Sequence, residues 1–314
     1  MELPRATLGR TGLEVTRLGF GAMELAPFSS DVDDARAERV LHAVLDAGIR
    51  FIDTSPDYGE SEQRIGRYLS GRRESFFIAS KCGCLVGRQP RREGGIPEHE
   101  FTPGNVRAGV EQSLKRLRIE TLDLVQFHIS PSRTVLEEND AVETLLKLRG
   151  EGKLRFLGMS GTLPHLRDHI EMGVFDAFQI PYSALELEHE EALAAAAQAG
   201  AGIIVRGGVA RGAPAPDHNP QQPLSFFREA NQRRRDRWDT ADLDELLDGM
   251  SRMEFLLRFV LSNPDAHTVI VGTANPDHLQ ANVRSAARGA LPPDLYAEAR
   301  RRLARPPVPG RSPS

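Results

Sequence analysis

The chain has 314 residues, of which 40% are hydrophobic and 27% charged, an ordinary balance for a globular protein and enough chain for one large α/β domain. A formal net charge of -4 and a pI near 6.2 argue against a nucleic-acid or anionic-membrane surface. No apolar stretch reaches the length of a membrane span, and Met1-Glu2-Leu3-Pro4-Arg5 lacks a signal peptide's apolar core, so a soluble, cytoplasmic protein is expected.

In chain order, Ala6 to Val15 reads as a β-hairpin turning at Arg10-Thr11-Gly12. Strand patterns then alternate with helical ones. The predicted strands are Arg17–Gly21, Phe51–Thr54, Phe76–Lys81, Leu122–His128, Arg155–Ser160, Ala177–Pro181, Gly202–Arg206 and His267–Gly272. They are short, rich in Ile, Val, Leu and Phe, and mostly lack strict alternation, as strands buried on both faces do. The predicted helices are Asp33–Ala47, Thr102–Leu117, Glu137–Leu148, His189–Ala199, Asp242–Leu261 and Pro276–Ala287. The first ends at Gly48, a plausible stop, and the second opens with Thr-Pro, a plausible start.

About eight strand–helix units in succession specify an α/β fold of the (β/α)8 TIM-barrel type, here with an N-terminal hairpin. An open dinucleotide-binding sheet would place G-x-G-x-x-G after its first strand, whereas Gly19-Phe20-Gly21 runs into Ala22-Met23-Glu24. Two long loops, Gly83–Phe101 and Gly207–Thr240, follow strands and therefore belong to the C-terminal face, where barrels of this kind keep their chemistry. The second holds Arg233-Arg234-Arg235-Asp236-Arg237, read as a solvated helix face rather than an anion grip. Residues 1–304 are expected to form one barrel domain and Arg305–Ser314 a Pro-rich flexible tail.

Cys82 and Cys84 are the only cysteines. No third cysteine completes a thiolate cluster, and the nearest histidine, His99, lies well along a loop-like stretch. The pair therefore reads as reduced thiols beside a pocket, and no metal site is expected.

Four chemistry-bearing residues stand where strands emerge from the core: Asp53, Tyr58, Lys81 and His128. Each alone has a plain structural explanation; a terminal Asp can cap a turn, and a lone His can be a satisfied core imidazole. Together they form a set with one purpose. A tyrosine is too weak an acid to donate efficiently at neutral pH, an ammonium beside it favours the phenolate, and a buried ammonium needs a carboxylate. An imidazole N–H can polarise a carbonyl and stabilise a developing alkoxide. A proton donor beside a carbonyl-polarising group suits carbonyl reduction with a hydride from a cofactor.

The segment Gly48-Ile49-Arg50-Phe51-Ile52-Asp53-Thr54-Ser55-x-x-Tyr58-Gly59-x-Ser61-Glu62 resembles the hallmark of the aldo-keto reductase superfamily. The resemblance continues through Leu114–Leu117, Asp123–His128, Gly152–Ser160, Gln179–Ser183 and Gly272–Asn282, and spans about residues 6 to 303. It implies a barrel binding NADP(H), with NAD(H) at lower affinity. It also implies Tyr58 as general acid/base, Lys81 and Asp53 tuning it, and His128 orienting a small-molecule carbonyl substrate. Ser160 and Gln179 match residues that hold the nicotinamide carboxamide; Thr273 and Asn282 match contacts to the adenosine phosphate and adenine. Three positions depart from the pattern. Gly161 replaces an Asn after the Ser, Arg206 stands where many members stack an aromatic ring on the nicotinamide, and His278 with Gly272 replaces an Arg and a Lys at the 2′-phosphate. Weaker NADP-over-NAD selection follows from the last pair.

The expected function is an NADPH-dependent reductase of aldehyde, ketone or sugar-like carbonyls. Its rivals are a cofactor-binding regulatory module, like the potassium-channel β subunits that resemble this family, and a sugar epimerase or lyase using the cofactor transiently. No nucleic-acid or membrane partner is expected, and oligomeric state, natural substrate and reaction direction are not legible.

Overall fold

In a computed structural model of the protein, residues 2–26, 32–87, 98–212, 214 and 225–304 are described. A two-stranded antiparallel hairpin, β1 (Arg5–Thr7) and β2 (Glu14–Thr16), precedes eight parallel strands. These are β3 (Leu18–Gly21), β4 (Phe51–Asp53), β5 (Phe77–Cys82), β6 (Leu122–Phe127), β7 (Leu154–Ser160), β8 (Ala177–Pro181), β9 (Gly202–Arg206) and β10 (Thr268–Val271). They pair in chain order, and β10 returns to β3 to close the barrel. The fold is a (β/α)8 barrel with an N-terminal hairpin.

Closure explains the composition of the strands. Helices cover the outside and side chains fill the inside, so both faces are apolar. The hairpin completes the N-terminal end: Leu8, Leu13 and Val15 pack on Phe51, Ala79, Leu124, Ala177 and Ile204 inside the barrel. At the other end the strands stop on polar residues, and the site is built there.

The outer helices are α1 (Asp34–Asp46), α2 (Ser61–Leu69), α3 (Pro103–Leu117), α4 (Arg133–Glu138), α5 (Ala141–Gly150), α6 (Leu166–Glu171), α7 (Glu190–Gln198), α8 (Ser225–Thr240), α9 (Arg252–Leu261), α10 (Pro276–Ala287) and α11 (Pro293–Leu303). Caps set several starts. Asp33 accepts from Arg36 N at 2.7 Å, and Ser251 from Glu254 N at 3.1 Å, contacts that contribute about 1 kcal/mol each. Gly66 lets α2 lie directly on α3, since a Cβ there would sit 2.2 Å from the Arg116 carbonyl oxygen.

Four readings of the sequence need correction. The expected helix Glu137–Leu148 is two helices, α4 and α5, broken where Asp140 takes a left-handed conformation (φ 48°). The expected helix Asp242–Leu261 is a 3-10 turn at Leu243–Leu246, then a break through Asp248 and Gly249 (φ 43° and 79°), then α9. Periodicity reads through such breaks because the flanking apolar residues keep facing the core. The stretch Gly207–Thr240 is not all loop, for it contains α8. On α8 the arginine run is not simply a solvated face: Arg234 is buried, donating to Glu186 at 2.8 Å and Asn231 at 2.7 Å, while Arg233 and Arg235 face solvent more freely. Residues 88–97, 213, 215–224 and the expected tail 305–314 lie outside the described residues.

Candidate active site

Asp53 closes β4, and its carboxylate is the hub of a buried polar cluster. Lys81 on β5 and Gln126 on β6 are register partners, so both side chains enter the barrel at one level. Lys81 Nζ donates to Asp53 Oδ1 at 2.7 Å and to the Thr54 carbonyl at 2.8 Å. Asp53 Oδ2 accepts from Gln126 Nε2 at 2.9 Å and from Gln179 Nε2, on β8, at 2.7 Å. Both ions are 1% exposed. Burial works against the Lys81 ammonium, but Asp53 and then Tyr58 outweigh it and its pKa is raised, so it stays charged.

Tyr58 hangs from the turn after β4, where its N–H donates to Ser55 O at 3.0 Å and its carbonyl accepts from Ser61 N at 2.9 Å. Lys81 Nζ lies 4.8 Å from its ring centroid. The sequence reading has Lys81 lowering the phenol's pKa. Lys81 does act in that direction, but burial acts more strongly the other way and the net shift is upward. The phenol is thus held protonated at neutral pH.

His128 follows β6, with its main-chain N–H donating to Cys82 O at 3.1 Å, and its ring stands edge-on to Tyr58 at 6.3 Å between centroids. Its Nδ1 lies within a second cluster: Cys84 Sγ at 3.4 Å, His99 Nε2 at 3.1 Å and Asp57 Oδ2 at 3.4 Å. Burial lowers the His128 pKa to about 4, with Asp57 offsetting part of the effect and Lys81 adding to it, so the ring is neutral. Burial alone would raise the Asp57 pKa; the two imidazoles outweigh it, and the carboxyl is held well below the usual range.

The expected cofactor residues trace an arc over the adjoining strand ends. Ser160 closes β7 and Gln179 lies in β8, with Ser160 Oγ donating to Gln179 Oε1 over a long 3.4 Å. Gln179 therefore keeps spare acceptor capacity while its amide donor is committed to Asp53. Arg206 closes β9, and its buried Nε lacks a hydrogen-bond partner among the described residues. Burial lowers the pKa of its guanidinium, and Tyr58 opposes that shift.

Thr273 lies after β10, and His278 and Asn282 sit one turn apart on α10. Position 272 could carry no lysine without main-chain movement, because a Cβ would meet Gly21 O at 2.6 Å. At Gly161 a Cβ would press Leu166 Cδ1 at 2.8 Å, so a side chain there would require the Leu166 methyl to shift.

Sequence reasoning gave no role to Gln126, Glu62, Asp57 or His99. Glu62 is buried and accepts from Ser80 Oγ at 2.7 Å and Arg116 at 3.3 Å, tying α2 to β5 and α3. For Gln126 the signal was available: its side chain shares a face with Leu122 and Leu124, so an amide there is a buried polar group inside the barrel. For His99 no spacing rule could help, since an antiparallel bridge to Cys84 brings it home.

The sequence profile of the aldo/keto reductase family matches residues 17–301. Among curated proteins, the D-threo-aldose 1-dehydrogenase of Pseudomonas sp is 29% identical over 323 residues, covering 91% of this chain and 94% of that one. The NADH-specific methylglyoxal reductase of Escherichia coli is 29% identical over 205 residues, 61% of this chain and 62% of its own. Among solved structures, the holo form of aldo-keto reductase AKR11C1 from Bacillus halodurans superposes with a TM-score of 0.80 at 26% identity, over 97% of both chains. The chain belongs to the aldo/keto reductase family and is an oxidoreductase of the nicotinamide-cofactor type. Among the described residues, no helix is long and apolar enough to cross a membrane.

Proposed function

We propose that the protein interconverts small aldehyde, ketone or sugar-like carbonyls and their alcohols, in the reductive direction with NADPH favoured and NADH accepted at lower affinity. The observation that carries this reading is the half-buried Tyr58 ring set 4.8 Å from Lys81 Nζ, an ammonium that Asp53 fixes at 2.7 Å. When bound, the nicotinamide supplies a hydride. Tyr58 gives its proton to the substrate oxygen as negative charge develops there, and Lys81 stabilises the phenolate left behind. His128, neutral, donates its N–H to the same oxygen and fixes its direction.

The residues fit such a coenzyme. Ser160 and the spare acceptor of Gln179 suit a carboxamide, and the unpartnered Arg206 Nε suits an acceptor or a ring face at the barrel end. Thr273 and the first turn of α10 stand where an adenosine phosphate would lie. That turn is a poor anion cradle, however. Pro276 has no N–H, Asp277 N donates to Asn275 Oδ1 at 2.9 Å and adds a negative charge, and Leu279 N donates to Asn275 O. One missing charge-assisted bond is worth about 1.5–3 kcal/mol, or roughly tenfold to a hundredfold in discrimination, so a modest preference for NADPH is expected.

A second direction has its own support: the D-threo-aldose 1-dehydrogenase, similar over 91% of this chain, is named for an oxidation. There Tyr58 would accept the alcohol proton instead. Purified protein should be given methylglyoxal with NADPH or NADH, and aldoses with NADP+ or NAD+, while cofactor absorbance and product are followed together. The reading predicts one cofactor converted per substrate. Cofactor binding without turnover in either direction would favour a regulatory module. Substrate conversion without net cofactor change would favour an epimerase or lyase.

A further inference from the structure

Asp57, Cys84, His99 and His128 turn one donor atom each toward a common centre, with all four atoms within 4.8 Å of one another. Four of the six separations are close to those of a coordination shell. Tetrahedral bonds of about 2.0–2.1 Å to nitrogen or oxygen imply donor separations of about 3.3 Å, and a bond of about 2.3 Å to sulfur stretches this to about 3.5 Å. The observed separations are 3.1 Å for His99 Nε2 to His128 Nδ1, 3.1 Å for His99 Nε2 to Asp57 Oδ2, 3.4 Å for His128 Nδ1 to Asp57 Oδ2, and 3.4 Å for Cys84 Sγ to His128 Nδ1.

Protons serve this arrangement badly. Among the described residues, Asp57 Oδ2 is buried with no well-aligned hydrogen bond, although both imidazole nitrogens are close to it. The two nitrogens also face each other, and only one of them can donate across that contact. A single cation at the centre would take a lone pair from every member. With a thiolate, a carboxylate and two neutral imidazoles around a divalent ion, the buried assembly would carry no net charge.

The scaffold holds the donors from outside. Cys84 and His99 are bridge partners, and Glu100 N donates to Gly83 O at 2.8 Å. Asn105, on α3, clamps both strands of that bridge, donating to Cys84 O at 3.1 Å and Glu100 O at 2.7 Å and accepting from Val86 N at 3.2 Å. Phe101 stacks on the His99 ring at 6.4 Å between centroids. Supporting contacts of this kind orient metal ligands.

We propose that these four side chains form a binding site for a zinc-type divalent cation. Sulfur and imidazole donors disfavour magnesium and calcium, and mixed N, S and O donors in a tetrahedron suit zinc. On binding, the Cys84 S–H bond breaks, an S–metal bond forms, the proton passes to solvent, and the ion sheds its waters; nothing is oxidised or reduced. Four protein donors close the shell, so the ion holds structure rather than binding substrate. It would also fix the His128 tautomer, with Nδ1 on the metal and the N–H at Nε2. That last consequence alone rests on the proposed role of His128.

The test reads metal rather than activity. Full-length protein is produced with zinc in the medium, purified without a metal-affinity column, and analysed for metal by mass spectrometry alongside Cys84→Ser, His99→Asn and Cys82→Ser. The expected result is about one zinc per chain in the wild type and Cys82→Ser, and at least about tenfold less in the other two. Apo protein titrated with cobalt(II) should give a thiolate-to-cobalt charge-transfer band, which decides the matter if either variant fails to fold. A wild type without zinc and without the cobalt band would overturn the proposal. So would unchanged metal content in folded Cys84→Ser and His99→Asn.

Discussion

Two polar clusters flank Tyr58, and they solve the problem of burial in opposite ways. Around Asp53 the donors and acceptors are complementary: one ammonium and two amides point at one carboxylate, and the lysine has a carbonyl besides. Around Asp57 lone-pair donors converge on each other, and the carboxylate oxygen among them has no aligned bond within the described residues. The first arrangement is complete as folded and can hold a fixed charge beside the tyrosine. The second is shaped for something positive that the chain does not itself provide. Buried polar groups are costly unless partnered, so the contrast separates a finished scaffold from a receptor.

The largest effect should come from breaking the finished cluster. Lys81→Met would leave the Asp53 carboxylate buried without its cation, which costs about 3–5 kcal/mol of stability. It would also take away the charge that stabilises the phenolate, lowering turnover at least ~10²-fold. Urea denaturation and steady-state kinetics on the same preparation check both. A near-wild-type midpoint would mean that Asp53 is not an obligate partner of Lys81.

A smaller loss is expected for Gln126→Leu. It deletes one charge-assisted bond to Asp53, worth about 1.5–3 kcal/mol, but also deletes the Gln126 Oε1 atom, which is buried without a partner among the described residues. The net cost should be about 1–2 kcal/mol by urea denaturation, well short of the lysine's. A loss equal to that of Lys81→Met would show the amide, not the ammonium, to be the keystone.

The smallest perturbation sharpens the other side of the contrast. Cys82 and Cys84 are both buried, and burial raises the pKa of each thiol. An aromatic disulfide reagent should therefore label the native protein at least ~10²-fold more slowly than the urea-unfolded chain. Labelling of native Cys84 at the unfolded rate would place the second cluster in open water.

Much of this was legible in the sequence, and the exceptions share a cause. The eight barrel strands, the hairpin and the positions of Asp53, Tyr58, Lys81 and His128 at strand ends follow from apolar runs that stop on polar residues. Helix breaks at Asp140 and at Asp248–Gly249 were not legible, because a left-handed residue leaves the surrounding periodicity intact. Nor was the second cluster. Asp57, Cys84, His99 and His128 come from three different strand-following segments, and only the closed barrel and the Cys84–His99 bridge bring them together. Local pattern encodes what a strand end carries; long-range pairing decides which strand ends meet.

The central claim is that Tyr58 delivers the proton, and Tyr58→Phe tests it most directly. The substitution removes one hydroxyl and keeps the ring beside Lys81 and His128. Turnover on the best carbonyl substrate and coenzyme affinity by fluorescence quenching should be measured on the same protein. The account predicts turnover at least ~10²-fold lower with coenzyme affinity within about threefold of wild type. Wild-type turnover in Tyr58→Phe would contradict it.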